Sequence, residues 1–193
     1  MMKIAVFASG SGSNFQAILD EVKSGNLEAE IALLVCDKPG AKVIERAEKA
    51  NIPVFEFSAK EFQSKEAFES IILQQLKQYD VSYVVLAGYM RLIGDTLLQA
   101  FPNNIINLHP SLLPSFPGKD AIGQAFRAGV KVTGITIHCV DAGMDTGPII
   151  AQKALEIESS DTIETLSAKI HKLEHTYYPY VLNTLFQKRE LEV

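Results

Sequence analysis

The fold of this chain is decided by the stretch Ile4-Ala5-Val6-Phe7-Ala8-Ser9-Gly10-Ser11-Gly12-Ser13-Asn14. Its first five residues are continuously apolar, which is typical of a strand buried on both faces of a sheet. Phe15, Ile18 and Leu19 then fall on one face of a helix. A strand, a glycine-rich turn and a helix in succession predict a β-α unit with an anion site, because free N–H groups at a helix start attract phosphate.

The turn matches neither of two familiar phosphate motifs. Phe15 stands where the dinucleotide fingerprint has its third glycine, and no lysine follows Gly12 as it does in the nucleoside-triphosphate loop. A small phosphate monoester therefore fits the turn best. The alternative is a serine- and glycine-rich turn that binds nothing.

The same alternation of strand and helix continues outward along the chain. Further apolar runs end at Cys36, Ala87 and Asn107, and helical patterns lie between them. This order predicts an α/β fold, with a doubly wound, mostly parallel sheet and helices on both faces. The length of 193 residues favours a single domain over residues 1–193.

The last helical pattern carries two stripes of side chains. The predicted apolar stripe is Ile163, Leu166, Ile170, Leu173 and Tyr177. The predicted polar stripe is His171, Glu174, His175 and Tyr178. Such a polar face is usually solvated, but its spacing also suits ligand contacts. Pro179 is expected to kink or end the helix.

Composition narrows the class of protein. The chain is 47% hydrophobic and 21% charged, as globular proteins are. A net charge of −5 argues against broad nucleic-acid binding, and no apolar run approaches the ~20 residues of a membrane span. Cys36 and Cys139 lie in apolar runs, which favours buried thiols in a reducing compartment. We expect a soluble, cytoplasmic protein.

A polar pair stands at the end of one predicted strand. Asn107 and His109 follow Ile105 and Ile106, and alternation places both polar side chains on the same side. The carboxyl end of a strand is where open α/β sheets bind their ligands. Asp145 lies in a second loop after another predicted strand, and we expect it to meet the pair.

These three side chains suit the stabilisation of an oxyanion. A nearby carboxylate can hold an imidazole protonated around neutrality, so His109 and the Asn107 amide would be two donors aimed at one carbonyl oxygen. Asp145 would accept or relay the proton of an attacking amine. Ser111 lacks a nucleophile elbow, which predicts direct transfer without an acyl-enzyme. The histidine spacing has no zinc signature, so we predict no metal. By itself, His109 would be interpreted as a structural histidine.

The segment 88–93 follows another strand end. Its residues are Gly88, Tyr89, Met90, Arg91, Leu92 and Ile93. The apolar members suit the wall of a pocket for a flat ring, whose polar edge the backbone would contact. A strand-to-helix turn packed into the core fits equally well.

The run Asn107-Leu108-His109-Pro110-Ser111-Leu112-Leu113-Pro114, with residues 141–148, closely resembles the formyltransferases that use 10-formyltetrahydrofolate. The resemblance covers nearly the whole chain. Sister families share the Asn-x-His pair and the distant Asp, so these identify the chemistry only. The loop of residues 9–14 and the short chain are similar to the branch that formylates glycinamide ribonucleotide in purine biosynthesis. The families that act on methionyl-tRNA or hydrolyse the donor carry a further domain, for which this length leaves no room.

The resemblance implies a role for each matching position. His109 would donate a proton, Asn107 would bind the formyl oxygen, and Asp145 would keep the imidazole protonated. The ribonucleotide site would consist of Gly12, Ser13, Asn14, His171, Lys172, Leu173 and Glu174. The cosubstrate site would consist of Lys65, Met90, Arg91, Leu92, Ile93, Asn107, Asp141, Ala142, Gly143, Met144 and Asp145. Lys65 stands where the family often has arginine, and residues 119–121 depart from the histidine-containing version of some relatives.

The implied reaction moves the formyl group of 10-formyltetrahydrofolate, a consumed cosubstrate, to the amine of glycinamide ribonucleotide. The N-terminal half would bind the phosphate, and the C-terminal half would supply the folate pocket and catalytic loops. We expect small-molecule partners, no nucleic acid, no membrane, and a monomer or homodimer. The alternatives are a hydrolase of the same donor, a dinucleotide-dependent oxidoreductase suggested by Asp37, and a non-catalytic nucleotide- or folate-binding module.

Overall fold

A computed structural model describes residues 1–190 of the chain. Within this range there are seven strands and six α-helices. In chain order they are β1 (Met2–Ala8), α1 (Ser13–Ser24), β2 (Ala29–Cys36), α2 (Lys42–Lys49), β3 (Val54–Glu56), α3 (Lys65–Gln78), β4 (Tyr83–Leu86), α4 (Asp95–Ala100), β5 (Ile105–His109), α5 (Ala121–Ala128), β6 (Val132–Cys139), β7 (Ile149–Glu156) and α6 (Ile163–Glu190).

The strands form one sheet in the order β3-β2-β1-β4-β5-β6-β7. The five strands from β3 to β5 in this order pair in parallel. β6 and β7 are antiparallel to their neighbours. The sheet is therefore mostly parallel, as predicted. The strand order reverses between β1 and β4, and such a switch point is where open α/β sheets leave a crevice for ligands.

Two apolar layers cover the two faces of the sheet. In β1, Ile4 and Val6 belong to one layer, and Ala5 and Phe7 belong to the other. Helices α1, α2 and α6 contribute to the first layer, and α3 and α4 contribute to the second. The continuously apolar strands are thus buried on both faces by helices, which confirms the predicted doubly wound arrangement.

Helix α6 does not end at Pro179, so one of the two expected effects of this proline, the end of the helix, is wrong. It continues from Ile163 to Glu190 as one helix. Proline removes one hydrogen bond from a helix interior. Beyond Pro179, Leu182 and Phe186 are almost completely buried, so packing against the sheet offsets the lost bond. None of the helices within residues 1–190 is both long enough and apolar enough to cross a membrane.

The predicted apolar stripe of α6 is wrong in its second half. Leu173 and Tyr177 are only partly buried, whereas Glu174 and Tyr178 are buried at the i+4 positions after Ile170. These polar residues are tolerated inside because each has partners. The Tyr178 hydroxyl lies 3.1 Å and 3.2 Å from the carbonyl oxygens of two neighbouring strands, β4 and β5.

Candidate active site

A cavity of about 440 Å³ opens at the carboxyl ends of β4 and β5. The loops after these strands and the β6–β7 loop line most of it, and its size is typical of a small-molecule site. Asn107, His109 and Asp145 all line this cavity. A larger open groove of about 650 Å³ lies at the amino ends of β1 and β2. Its lining is mainly aliphatic, whereas the smaller cavity is lined by the three residues that the sequence predicts to be catalytic.

Asn107 and His109 of β5 lie on the same face of the sheet, as the alternation predicts. Ile106 and Leu108 belong to the apolar layer on one face of the sheet. Asn107 and His109 therefore lie on the opposite face. The two residues end the last parallel strand, next to antiparallel β6.

The imidazole of His109 is held at both nitrogens. Its Nε2–H donates to the carbonyl oxygen of Phe116 at 2.9 Å. Phe116 has a φ of +54°, an uncommon conformation for a bulky residue, and this conformation sets the direction of the carbonyl. The Nδ1 atom lies 3.4 Å from Oδ2 of Asp145. Because Nε2 is engaged by the backbone, Nδ1 is the ring nitrogen that faces Asp145.

Asp145 is fixed by a backbone contact from the loop that contains Gly118. Its Oδ2 accepts a hydrogen bond from the Gly118 N–H at 2.7 Å, and its own φ is +57°. Its loop is braced by Asp141, which accepts hydrogen bonds from the Gly143 N–H at 3.0 Å and the Thr146 hydroxyl at 2.7 Å. The carboxylate is therefore held beside His109 before any substrate arrives.

His138 is a site residue that the sequence reasoning missed. It lies on β6 directly opposite Asn107 and is 2% exposed. Burial lowers the pKa of His138, so the ring is neutral around pH 7. Its Nδ1–H donates to the Cys139 carbonyl at 2.9 Å, which leaves the Nε2 lone pair to accept from the Asn107 amide N–H at 3.1 Å. His138 thereby orients Asn107, whose second N–H stays available to a substrate oxygen.

The wall of the cavity exposes three large apolar side chains. Met90 is 70% exposed, and Leu92 and Met144 are each 51% exposed, although all three line the same cavity. Exposed apolar side chains grouped around a concave surface mark a binding site for an apolar ligand. Ile93 also lines the cavity but is buried. The pocket interpretation of residues 88–93 is therefore favoured over a turn packed into the core.

The segment 88–94 is held at both ends. The Ser9 hydroxyl donates to Asp37 and accepts from the Met90 N–H at 2.9 Å. The Nε–H of Arg91 donates to the other oxygen of Asp37 at 2.7 Å. At the far end, buried Glu69 accepts from the Gly94 N–H at 2.7 Å, and burial raises the pKa of Glu69. Asp37 is thus engaged within the protein, which argues against its use for a dinucleotide ribose.

Two predicted cosubstrate residues, Lys65 and Ala142, do not line the cavity itself. Lys65 is exposed at the start of α3, close to Gly94, and Ala142 is exposed in its loop. Neither is among the residues of the described range that line the cavity. Their folate contacts stay predictions.

Three of the predicted ribonucleotide residues, Asn14, His171 and Glu174, meet where α1 contacts α6. Asn14 donates from Nδ2 to Glu174 at 3.2 Å, and His171 donates from Nδ1 to the same oxygen at 2.9 Å. This bond to Glu174 raises the pKa of His171. Glu174 is 4% exposed, whereas Lys172 is exposed. Side chains 160 positions apart in the chain are thus in direct contact.

The turn before α1 is closely packed at Gly12. This residue has a φ of +72°, and a Cβ placed there would lie 2.5 Å from the Val43 Cγ2 atom of α2. Glycine is therefore needed for both the backbone conformation and the approach of α2. Among residues 1–190, no group of three or more His, Cys, Asp or Glu side chains is arranged to hold a metal ion.

Comparisons with known proteins agree with this geometry. A family model described as formyl transferase matches residues 2–182. Phosphoribosylglycinamide formyltransferase of Bacillus subtilis (strain 168) is 64% identical over 185 residues, which are 96% of this chain and 95% of that protein. The human trifunctional purine biosynthetic protein adenosine-3 is 37% identical over 93% of this chain, which spans 18% of that longer protein.

Solved structures are equally similar. The crystal structure of phosphoribosylglycinamide formyltransferase from Bacillus halodurans has a TM-score of 0.94 and 57% identity, covering 97% of this chain and 96% of that one. Glycinamide ribonucleotide transformylase 1 from Geobacillus kaustophilus also has a TM-score of 0.94, with 61% identity over 96% of this chain and 98% of that one.

Proposed function

The chain belongs to the formyl transferase family, and from this premise we propose that it is a phosphoribosylglycinamide formyltransferase of purine biosynthesis. It transfers a formyl group from 10-formyltetrahydrofolate to the amine of glycinamide ribonucleotide. The products are formylglycinamide ribonucleotide and tetrahydrofolate. The observation that best supports this proposal is the meeting of Asn107, His109 and Asp145 in one cavity with an exposed apolar wall.

The cavity suits the folate donor. Met90, Leu92 and Met144 offer apolar contacts for a flat ring, and the backbone of the two loops offers donors and acceptors for its polar edge. Asn107 and His109 lie at the same cavity, where the formyl group of the bound donor would have to be placed. The turn at residues 9–14 and the pair Asn14 and Glu174 suit the phosphate and the glycinamide of the acceptor.

Asn107 and His109 stabilise the oxygen of the formyl group as the amine attacks its carbon. The second N–H of Asn107 and the Nδ1–H of His109 are the donors, because the other donor of each side chain is held by His138 and Phe116. One donor of this kind contributes about 3–4 kcal/mol in known acyl-transfer sites. The Nδ1–Asp145 distance of 3.4 Å is longer than a strong hydrogen bond, so the proton can be shared with the substrate oxygen.

Asp145 assists the movement of protons. The attacking amine must lose a proton, and the departing folate nitrogen must gain one. Asp145 lies beside Nδ1 of His109 and is 12% exposed, so it can exchange protons with that ring or with water in the cavity. No covalent enzyme intermediate is needed for this balance.

A hydrolase of the same donor is the second candidate function. It would use the same three residues, with water in place of the amine. The contacts among Asn14, His171 and Glu174 favour the transferase, because a hydrolase has no need of a site for an amine acceptor.

Formyl transfer is tested by following the loss of 10-formyltetrahydrofolate with and without glycinamide ribonucleotide. Turnover only with the ribonucleotide is the expected result, and equal turnover without it would identify a hydrolase. His109→Ala is expected to lower kcat by roughly 10²–10³-fold, the effect of losing one oxyanion donor, with little change in ribonucleotide affinity. Near-normal turnover by this variant would remove His109 from the mechanism.

We propose that the N-terminal half of the chain binds the phosphate and that the C-terminal half supplies the catalytic loops, as the sequence predicts. The cytoplasmic location stays a prediction, as does the choice between a monomer and a homodimer.

A further inference from the structure

Arg46 of α2 joins the two sides of the glycine-rich turn. Its Nε–H donates to the Ser11 carbonyl at 2.9 Å, and its Nη1–H donates to the Gln16 side-chain oxygen at 3.0 Å. Ser11 precedes α1, and Gln16 lies in its first turn. The guanidinium therefore holds the loop and the helix start in one arrangement. No role suggested by the sequence or by the proposed mechanism accounts for this contact.

The carbonyl groups of Gly10, Ser11 and Gly12 in the turn each have a donor within the protein. The Val43 N–H donates to Gly10 at 3.1 Å, Arg46 donates to Ser11, and the Gln16 N–H donates to Gly12 at 2.9 Å. In a trans peptide the next N–H points away from the carbonyl. The N–H groups of residues 11–13 are therefore directed away from these donors. A set of N–H groups aimed in this way is suited to an anion.

We propose that Arg46 is a positioning residue for the phosphate of the ribonucleotide. Arg46 does not contact the phosphate itself. It holds the Ser11 carbonyl, so that the N–H of Gly12 in the same peptide group is presented to the phosphate. This inference rests on the proposed function, because it takes the acceptor's phosphate to bind at residues 12–14. Arg46 is only partly exposed, and its contacts to Ser11 and Gln16 define a role beyond general positive charge.

The test compares two acceptors, glycinamide ribonucleotide and the same compound without its phosphate. Arg46→Met is expected to raise the KM for the ribonucleotide roughly tenfold or more, the range of one lost charge-assisted hydrogen bond. Its kcat and its KM for the formyl donor should stay within about twofold, and kcat/KM for the dephosphorylated acceptor should barely change. The ratio of kcat/KM for the phosphorylated acceptor to kcat/KM for the dephosphorylated acceptor would therefore fall roughly tenfold or more.

Lys49→Met is the matched control. Lys49 lies on the same helix and lines the same surface groove as Arg46, and it is exposed. Its removal deletes the same charge without touching the turn, so both acceptors should keep their wild-type parameters. Arg46→Lys retains the positive charge but loses the planar guanidinium that contacts both Ser11 and Gln16. Its preference for the phosphorylated acceptor should lie between those of the wild type and Arg46→Met. This variant also serves as the test if Arg46→Met fails to fold.

Two results would overturn the inference. One is an equal fall in kcat/KM for both acceptors in Arg46→Met or Arg46→Lys, which would indicate a general structural role. The other is a Lys49→Met enzyme that matches Arg46→Met, which would indicate charge alone. Failure of the proposed function is distinguishable, because the wild-type enzyme would then show no formyl transfer to the ribonucleotide.

Discussion

Replacing His138 with phenylalanine tests how Asn107 is oriented. The neutral imidazole accepts one N–H of the Asn107 amide at 3.1 Å, and its other nitrogen donates to the Cys139 carbonyl. Phenylalanine fills a similar volume but accepts no hydrogen bond. The Asn107 amide would then lose its hydrogen bond to His138 and rotate away from the formyl oxygen. We expect His138→Phe to fold and to bind both substrates.

The size of the effect follows from the contact that is lost. Asn107 is half-buried, and leaving its amide N–H without a partner costs roughly 1–3 kcal/mol, which corresponds to a fall in kcat of about 10- to 100-fold. Asn107→Ala removes the donor itself and is expected to lower kcat by roughly 10²–10³-fold. Because His138 acts through Asn107, the double variant should be little worse than Asn107→Ala alone.

The assay is steady-state formyl transfer by the two single variants, the double variant and the wild type. The wild-type kcat should also fall at acid pH, because protonated His138 can no longer accept from Asn107. Burial lowers the pKa of His138, so this fall should begin below the ordinary histidine range of about 6.5. His138→Phe should lack this part of the pH profile. A double variant whose loss is the product of the single losses, roughly 10³–10⁵-fold, would refute the reasoning.

Three further changes have definite expected outcomes. Gly12→Ala should raise the KM for the ribonucleotide without changing the KM for the formyl donor, because the added Cβ would meet Val43. Gly25→Ala is the matched control, since Gly25 also has a positive φ, +80°, but an added Cβ there would have no atom within 4 Å. Glu69→Ala leaves an N–H at the start of α4 without its acceptor, so calorimetry should show a loss of about 2 kcal/mol, or a Tm lower by roughly 4–8 °C. Burial lowers the pKa of His175, so its contribution to stability is present above about pH 6.5 and is lost as the pH falls, because the unfolded chain then takes up a proton that the folded chain does not. His175→Leu should therefore flatten the fall in Tm between about pH 7 and pH 5, and an unchanged slope would exclude this histidine as its cause.

The sheet was predictable because its signals are local. A strand buried on both faces must be continuously apolar, and the runs ending near Ala8, Cys36 and Leu86 have this property in the sequence itself. The strand period of two likewise places Asn107 and His109 on one side without any knowledge of the neighbouring strands.

The turn before α1 was only partly predictable. Its glycines and serines indicate a phosphate-type loop, but nothing local shows that Arg46 holds the Ser11 carbonyl from the next helix. The stripe of α6 is a similar case. Helical periodicity assigns Leu173 and Tyr177 to the core, whereas the structure buries Glu174 and Tyr178, because their polar atoms find partners on other elements.

The sequence by itself determined the α/β class, the strand ends at which the cavity opens, and the placement of Asn107 and His109 on one side of β5. Only the tertiary structure decided which side chains orient that pair. His138 meets Asn107 because β6 runs antiparallel to β5 in one particular register, and Asp145 approaches His109 because Gly118 holds its carboxylate. Local periodicity depends on neighbouring residues, whereas strand register and loop contacts depend on packing between segments about 30 residues apart.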